Sequence, residues 1–212
     1  MSEIRSGVII AGGRSTRFGP EEKALASIDG VPMIVRVARR IGPTVDEVIV
    51  NCRSSQLDPI REAFECTPVQ PTYAIDRTPD QGPLGGMKYG LEAATGDYAA
   101  IVGCDMPFVD PDFIARLFEW ADGYDAVIPR LADEWLQTTQ AVYRTAPMVA
   151  ACETVLENGG GKILDALDEL DCRIVDEADI LEHTTKRTFE NINTKSELAA
   201  ARADLEATNS GT

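Results

Sequence analysis

An apolar run, Val8-Ile9-Ile10, stops at Ala11 and opens into "AGGRSTRFGPEEKAL", a loop with three glycines (Gly12, Gly13, Gly19), two arginines (Arg14, Arg17) and a lysine, Lys23, at its far end. A short run apolar at every position fits a strand covered on both faces, and the polar loop after it then falls at an edge of the sheet. The rest of the chain repeats the form. Apolar runs at "VDEVIVNC", "VQPTYAID", "DYAAIVGCD", "YDAVIPR", "LQTTQAVYR" and "CRIVDE" read as strands. Between them stand helical patterns at "PMIVRVARRIG", "SSQLDPIREAFE", "GPLGGMKYGLEAATG", "DPDFIARLFEWADG", "TAPMVAACETVLENG" and "GKILDALDELD". Such alternation predicts an α/β sandwich of three layers, a mostly parallel sheet with helices on both faces.

Local signals sharpen this. Ile34, Val37, Ala38 and Ile41 share one helical face, and Pro59 is expected to interrupt the following helix. Asp110 is an N-cap with Pro111 at the first helical position. "GPLGGM" is expected as loop before its helix, which should end at Gly96. "RTFENIN" is expected to end in a strand that turns Asn191 and Asn193 to one face. Thr194 and Glu197 form a capping box for the last helix. No repeat or linker divides the chain, so one domain is expected over residues 1–206, with a polar tail at 207–212 that frays.

Ligands of such folds bind outside the carboxyl ends of the strands. Three unusual loops fall there. The first is the glycine loop, whose backbone N–H groups could cradle a phosphate while Arg17 and Lys23 neutralise it; a tight strand-to-helix turn is the alternative. It is neither GxxxxGK[ST], because "PEEK" follows Gly19, nor GxGxxG. The second, "AIDRTPDQGPLGGM", carries Asp76 and the Gly82-Pro83-Leu84 run. The third, "GCDMPF", carries Asp105, a candidate Mg2+ ligand or a turn aspartate bonded to its own backbone.

The formal net charge of −15 argues against a nucleic-acid partner. Only five lysines occur, and an acidic, lysine-poor surface points to a salt-adapted source. No apolar run reaches the roughly 18 residues of a membrane span, and the N-terminus lacks the pattern of a signal peptide. Five cysteines without a CxxC pair fit reduced thiols, so a cytoplasmic protein with no membrane partner is expected. The single histidine, His183, sits in a polar stretch. Chemistry must then rest on carboxylates, Lys and Arg, amides and an added metal.

Together these motifs resemble the molybdenum cofactor guanylyltransferases, a family of the nucleotidyltransferase superfamily. "IIAGGRSTRFGPEEKAL" is similar to the family's LAGGxSxRMGxDKxL, with Glu22-Lys23 in place of Asp-Lys. "GPLGGM" after Asp76 is similar to its GPLxG loop, "GCDMPF" to its CDxPF and "FENINTKSEL" to its closing F-x-N-[IV]-N-T-x-x-[ED]-L. The resemblance runs to about Leu198 and implies a Rossmann-like fold. It also implies transfer of GMP from GTP to molybdenum-molybdopterin with Mg2+ as cofactor. Carried over, Ile10, Ala11, Gly12 and Gly13 would contact the nucleotide by backbone, Lys23 and Arg17 would act on the triphosphate, and Asn51 and Asp76 would touch the nucleotide, as would Gly82, Pro83 and Leu84. Asp105 would hold Mg2+ and share the catalytic role, with Asn193 beside it. The chain departs at "WLQTTQAVY", where Gln137 and Thr138 replace the His and Pro of HPLxAVY, and at Lys162, where relatives carry arginines.

Sister activities are the near alternatives: a CTP-dependent molybdopterin cytidylyltransferase, or a guanylyltransferase for a cobamide precursor or phospholactate. A nicotinamide-binding oxidoreductase would need GxGxxG and an acidic residue about 20 positions on. A non-catalytic nucleotide-binding module would have no need of Lys23 and Asp105.

Self-repulsion at this net charge is screened by salt. The melting temperature should rise steadily as KCl goes from about 0.1 M to about 2 M, measured by circular dichroism; an unchanged or falling value would remove the salt-adapted reading.

Overall fold

The structure, a computed structural model, describes residues 4–12, 18, 22–78 and 81–210, with the backbone alone for 208–210. In chain order the elements are β1 (Arg5–Ile10), β2 (Ser27–Ile28), β3 (Val31–Pro32), α1 (Met33–Ile41), β4 (Glu47–Cys52), α2 (Leu57–Phe64), β5 (Thr72–Ile75), α3 (Gly82–Glu92), β6 (Tyr98–Gly103) and α4 (Pro111–Trp120). They continue with β7 (Ala126–Arg130), β8 (Gln140–Arg144), α5 (Thr145–Glu157), α6 (Ile163–Leu167), β9 (Cys172–Asp176), α7 (Glu177–Leu181) and α8 (Lys195–Ser210). The main sheet has the order β5-β4-β1-β6-β8-β7-β9. Only β8 runs against the others.

The three-layer expectation holds, and its cause is visible along each strand. Ile9, Val50 and Val102 point to one face, where Ile34, Val37, Ala38 and Ile41 of α1 bury with Ile60 of α2 and Phe113 and Leu117 of α4. Their strand neighbours Val8, Ile49 and Ile101 point to the other, against Leu84, Met87 and Leu91 of α3 and Met148 and Cys152 of α5. Each fully buried large apolar side chain contributes about 1.5–3 kcal/mol. A third cluster, with Phe18, Ile28, Met33, Phe108, Ile192, Leu198 and Ala201, fastens α8 and the β2–β3 hairpin beside the sheet. The chain leaves β1 to one side for β4 and β5, then crosses to the other side for β6. That reversal opens a crevice at the carboxyl ends of β1 and β6.

Several local expectations are corrected. Pro59 does not interrupt α2; it is the third residue of that helix, where a missing N–H costs no hydrogen bond. "GPLGG" is the first turns of α3 rather than loop, and α3 ends at Glu92, before Gly96. Residues 190–193 pair with no strand: after a 3-10 turn at Lys186–Phe189 the segment crosses the sheet edge, where Ile192 N donates to Asp105 O at 2.9 Å. The hairpin β2–β3 and helix α7 lie outside the strand and helix patterns read from the sequence. "IDGV" held the signal for the hairpin, since Asp29 and Gly30 both take positive φ, as a two-residue type I′ turn requires. Asp110 caps α4, accepting from Asp112 N, and the Thr194–Glu197 capping box opens α8. α8 continues to Ser210, past the expected boundary at residue 206. No helix among the described residues is long and apolar enough to cross a membrane.

Candidate active site

Lys23, Asp105 and Asn193 meet at the crevice. Lys23 Nζ donates to Asp105 Oδ2 at 2.6 Å and to Asn193 Oδ1 at 2.9 Å. Three different elements deliver them. β6 ends at Gly103, where the chain turns with Met106 N donating to Gly103 O at 3.2 Å, and Asp105 stands in that turn. A Cβ at Gly103 would lie 2.5 Å from Asp105 Oδ1, so the glycine gives that carboxylate its place. Lys23 opens a 3-10 turn, Lys23–Leu25, anchored by the buried Ala24. Asn193 lies just before α8, its N–H held by Glu197 Oε2 at 2.5 Å. Both charged side chains are largely shielded, at 13% and 20% exposure for Lys23 and Asp105, so each limits the other's contact with water.

A second group lies one strand away. Asn51, fully buried at the end of β4, sits in register with Ile10 of β1 and Ala74 of β5. Its Nδ2 donates to Asp76 Oδ1 at 2.7 Å and to Ala74 O at 3.2 Å. Its Oδ1 is a buried acceptor without a hydrogen-bond partner among the described residues. Gly12 lies over both: a Cβ there would come within 2.6 Å of Asp76 Oδ2 and 3.3 Å of Asn51 Oδ1. From the other side α3 presses its glycine face down, since a Cβ on Gly86 would strike Asn51 Oδ1 and one on Gly90 would strike Val8. Burial pushes the Asp76 carboxyl above the ordinary carboxylate range, and the Asn51 hydrogen bond pulls only partly against it.

Ile10, Ala11, Gly12, Lys23, Asn51, Asp76, Asp105 and Asn193 thus gather at one edge, where the carboxyl ends of β1, β4, β5 and β6 come together. Gly82 begins α3 with φ +66° and Pro83 follows in its first turn. The Leu84 side chain is fully buried in the core beneath, so only its backbone can face a ligand. Arg17 and Gly13 lie outside the described residues. Asn191 does not join Asn193: its amide turns back to Phe189 O at 3.2 Å, because the segment is not a strand and alternation does not apply. His183 is exposed and packs edge-on against Trp120, away from Asp105. Gln56, Arg53 and Glu22 also reach this edge; the sequence carries no pattern that singles out Gln56, a polar residue before an apolar helix.

Among the described residues no group of three His, Cys, Asp or Glu gathers for a metal. One carboxylate and one carboxamide nevertheless present hard oxygens around a single cationic group. That donor set fits Mg2+, which keeps several waters and takes one or two protein carboxylates together with substrate phosphates.

Replacing Asn51 by Ala leaves the half-buried Asp76 carboxylate without its donor. The cost should be about 1–3 kcal/mol in urea unfolding, and Asp76 should titrate higher still, followed by carboxyl NMR. A carboxyl with a raised folded pKa loses stability as pH climbs through the carboxylate range, and the variant should lose more there. An unchanged Asp76 titration would break the link between the two side chains.

Residues 7–171 match the MobA-like NTP transferase domain. The chain is 42% identical over 201 residues to a probable molybdenum cofactor guanylyltransferase of Natronomonas pharaonis, covering 95% of this chain and 98% of that one. A protein of Haloferax mediterranei described the same way is 37% identical, with 92% of each chain covered. In fold, the chain superposes on molybdopterin-guanine dinucleotide biosynthesis protein A from Archaeoglobus fulgidus with a TM-score of 0.80, at 22% identity over 95% of this chain and 99% of that one. A nucleotidyl transferase of Methanothermobacter superposes with a TM-score of 0.74 at 22% identity, over 97% and 99% of the two chains. The edge built by Lys23, Asp105, Asn51 and Asp76 therefore belongs to a MobA-like NTP transferase: the chain is a member of that family.

Proposed function

We propose that this chain transfers GMP from GTP to the terminal phosphate of molybdenum-molybdopterin, releasing pyrophosphate and forming the guanine dinucleotide form of the cofactor. The observation that carries this reading is the meeting of Lys23, Asp105 and Asn193 at the crevice between β1 and β6. The acceptor comes from the relatives, which are described as molybdenum cofactor guanylyltransferases.

The chemistry needs little from the protein beyond position and charge. An oxygen of the acceptor phosphate, already anionic, bonds to the α-phosphorus of GTP while the bond from that phosphorus to the bridging oxygen breaks. No base has to remove a proton, which suits a site without histidine. Lys23 holds the triphosphate and neutralises charge as it shifts to the leaving pyrophosphate. Its contact with Asp105 keeps the ammonium aimed into the crevice until phosphate oxygens take it over. Asp105 and Asn193 would hold Mg2+, which when bound supplies further charge neutralisation on the phosphates. Asp76 is an acceptor-only group when ionised, and its Oδ2 faces the space above Gly12. Guanine offers two adjacent N–H donors on one edge, which suits a carboxylate; cytosine offers an amino group beside an acceptor.

The test is pyrophosphate release with Mg2+, each of the four nucleoside triphosphates and molybdopterin. Release with GTP alone, dependent on molybdopterin, is expected; release with CTP alone would move the chain to the cytidylyl branch. Lys23→Ala and Asp105→Ala should each lower kcat/KM by about a hundredfold to a thousandfold with unchanged circular dichroism. Near-normal activity in Asp105→Ala would remove Asp105 from the metal role.

A further inference from the structure

The glycine loop leaves the sheet at Ala11 and returns at Glu22, just before Lys23. One side chain touches both points. Gln56, 2% exposed at the end of the 3-10 turn Ser54–Gln56, donates from Nε2 to Ala11 O at 3.1 Å and to Glu22 Oε2 at 2.7 Å. Its Oε1 accepts from Arg53 N at 3.0 Å and Arg53 Nε at 3.1 Å. Arg53 in turn donates from a terminal nitrogen to Glu22 Oε1 at 3.1 Å. Both carboxylate oxygens of Glu22 are therefore taken, and both ends of the carboxamide are satisfied. A carboxamide used only to fill a buried corner would have no need to reach two points flanking a ten-residue excursion.

We propose that Gln56 is a positioning residue for the phosphate-binding step. By fixing Glu22 relative to Ala11 it sets the span of the glycine loop and the direction in which Lys23 leaves the backbone. The Glu22 side chain is long enough to reach Gln56 and Arg53 at once. Holding Ala11 and Glu22, and through Glu22 the start of Lys23, in place in advance lowers the ordering entropy that triphosphate binding has to overcome. Asp76, the group proposed to face the base, and its donor Asn51 share no hydrogen bond with Gln56, and Arg53 bears on Asp76 through its charge alone. Gln56 thus bears first on the phosphate side of the site, through Glu22 and Lys23. This inference rests on the proposed nucleotide site.

The experiment compares GTP with guanosine, which lacks the phosphates. Gln56→Met keeps the volume and removes the hydrogen bonds. It should raise the dissociation constant for GTP about tenfold, the scale of a lost hydrogen bond to a charged group, and leave guanosine binding unchanged, by calorimetry and competition. In turnover KM for GTP should rise with kcat within about threefold. Glu22→Ala, at a side chain 37% exposed, carries the same test without disturbing the interior and should shift GTP, not guanosine, in the same direction. Equal weakening of both ligands, or unchanged GTP affinity in either variant, would overturn the positioning role while wild-type GTP binding leaves the nucleotide site standing. Failure of the wild-type chain to bind GTP would overturn both.

Discussion

The ion pair between Lys23 and Asp105 is the contact on which the site depends. It joins positions 82 residues apart, and Asn193, a further 88 residues on, completes it. The strand order, which reverses between β1 and β6, brings the Lys23 and Asp105 stretches to one edge, and the segment before α8 adds Asn193. The pair is largely shielded, so its charges are screened by each other more than by water. A shielded ammonium and carboxylate facing an open crevice form a poor device for stability and a good one for exchanging partners with a charged ligand.

The glycines of this edge divide between two physical tasks. Gly12 and Gly103 make room for carboxylates, Asp76 and Asp105 respectively. Gly86 and Gly90, spaced one helical turn apart, let α3 settle onto Asn51 and Val8. That close approach is what buries Asn51 and keeps its amide fixed on Asp76. The glycine-rich start of α3 thus serves the ligand edge indirectly, through the side chain it confines.

Much of this was legible in the chain. Runs such as Val8-Ile9-Ile10 and Glu47–Cys52 specify strands covered on both faces, and their alternation with helical patterns specifies the layers. Asp76 and Asp105 stand directly after such runs, so their edge could be read from position alone. Where the sequence misled, tertiary contacts outweighed local pattern. Asn191 and Asn193 alternate as a strand would, yet between them Ile192 N bonds to Asp105 O in a turn rather than to a neighbouring strand. Pro59 reads as a breaker until its place in the first turn of α2 is known. Gln56 was invisible because its partners, Ala11 and Glu22, are 45 and 34 residues away, and no local pattern encodes such a reach.

A crystal structure with a non-hydrolysable GTP analogue and Mn2+ in place of Mg2+ tests the central claim most directly. The account predicts anomalous density for Mn2+ against Asp105, triphosphate oxygens on Lys23 Nζ in place of Asp105, and the guanine edge on Asp76. A nucleotide bound elsewhere, or Lys23 still paired with Asp105 beneath a bound triphosphate, would contradict it.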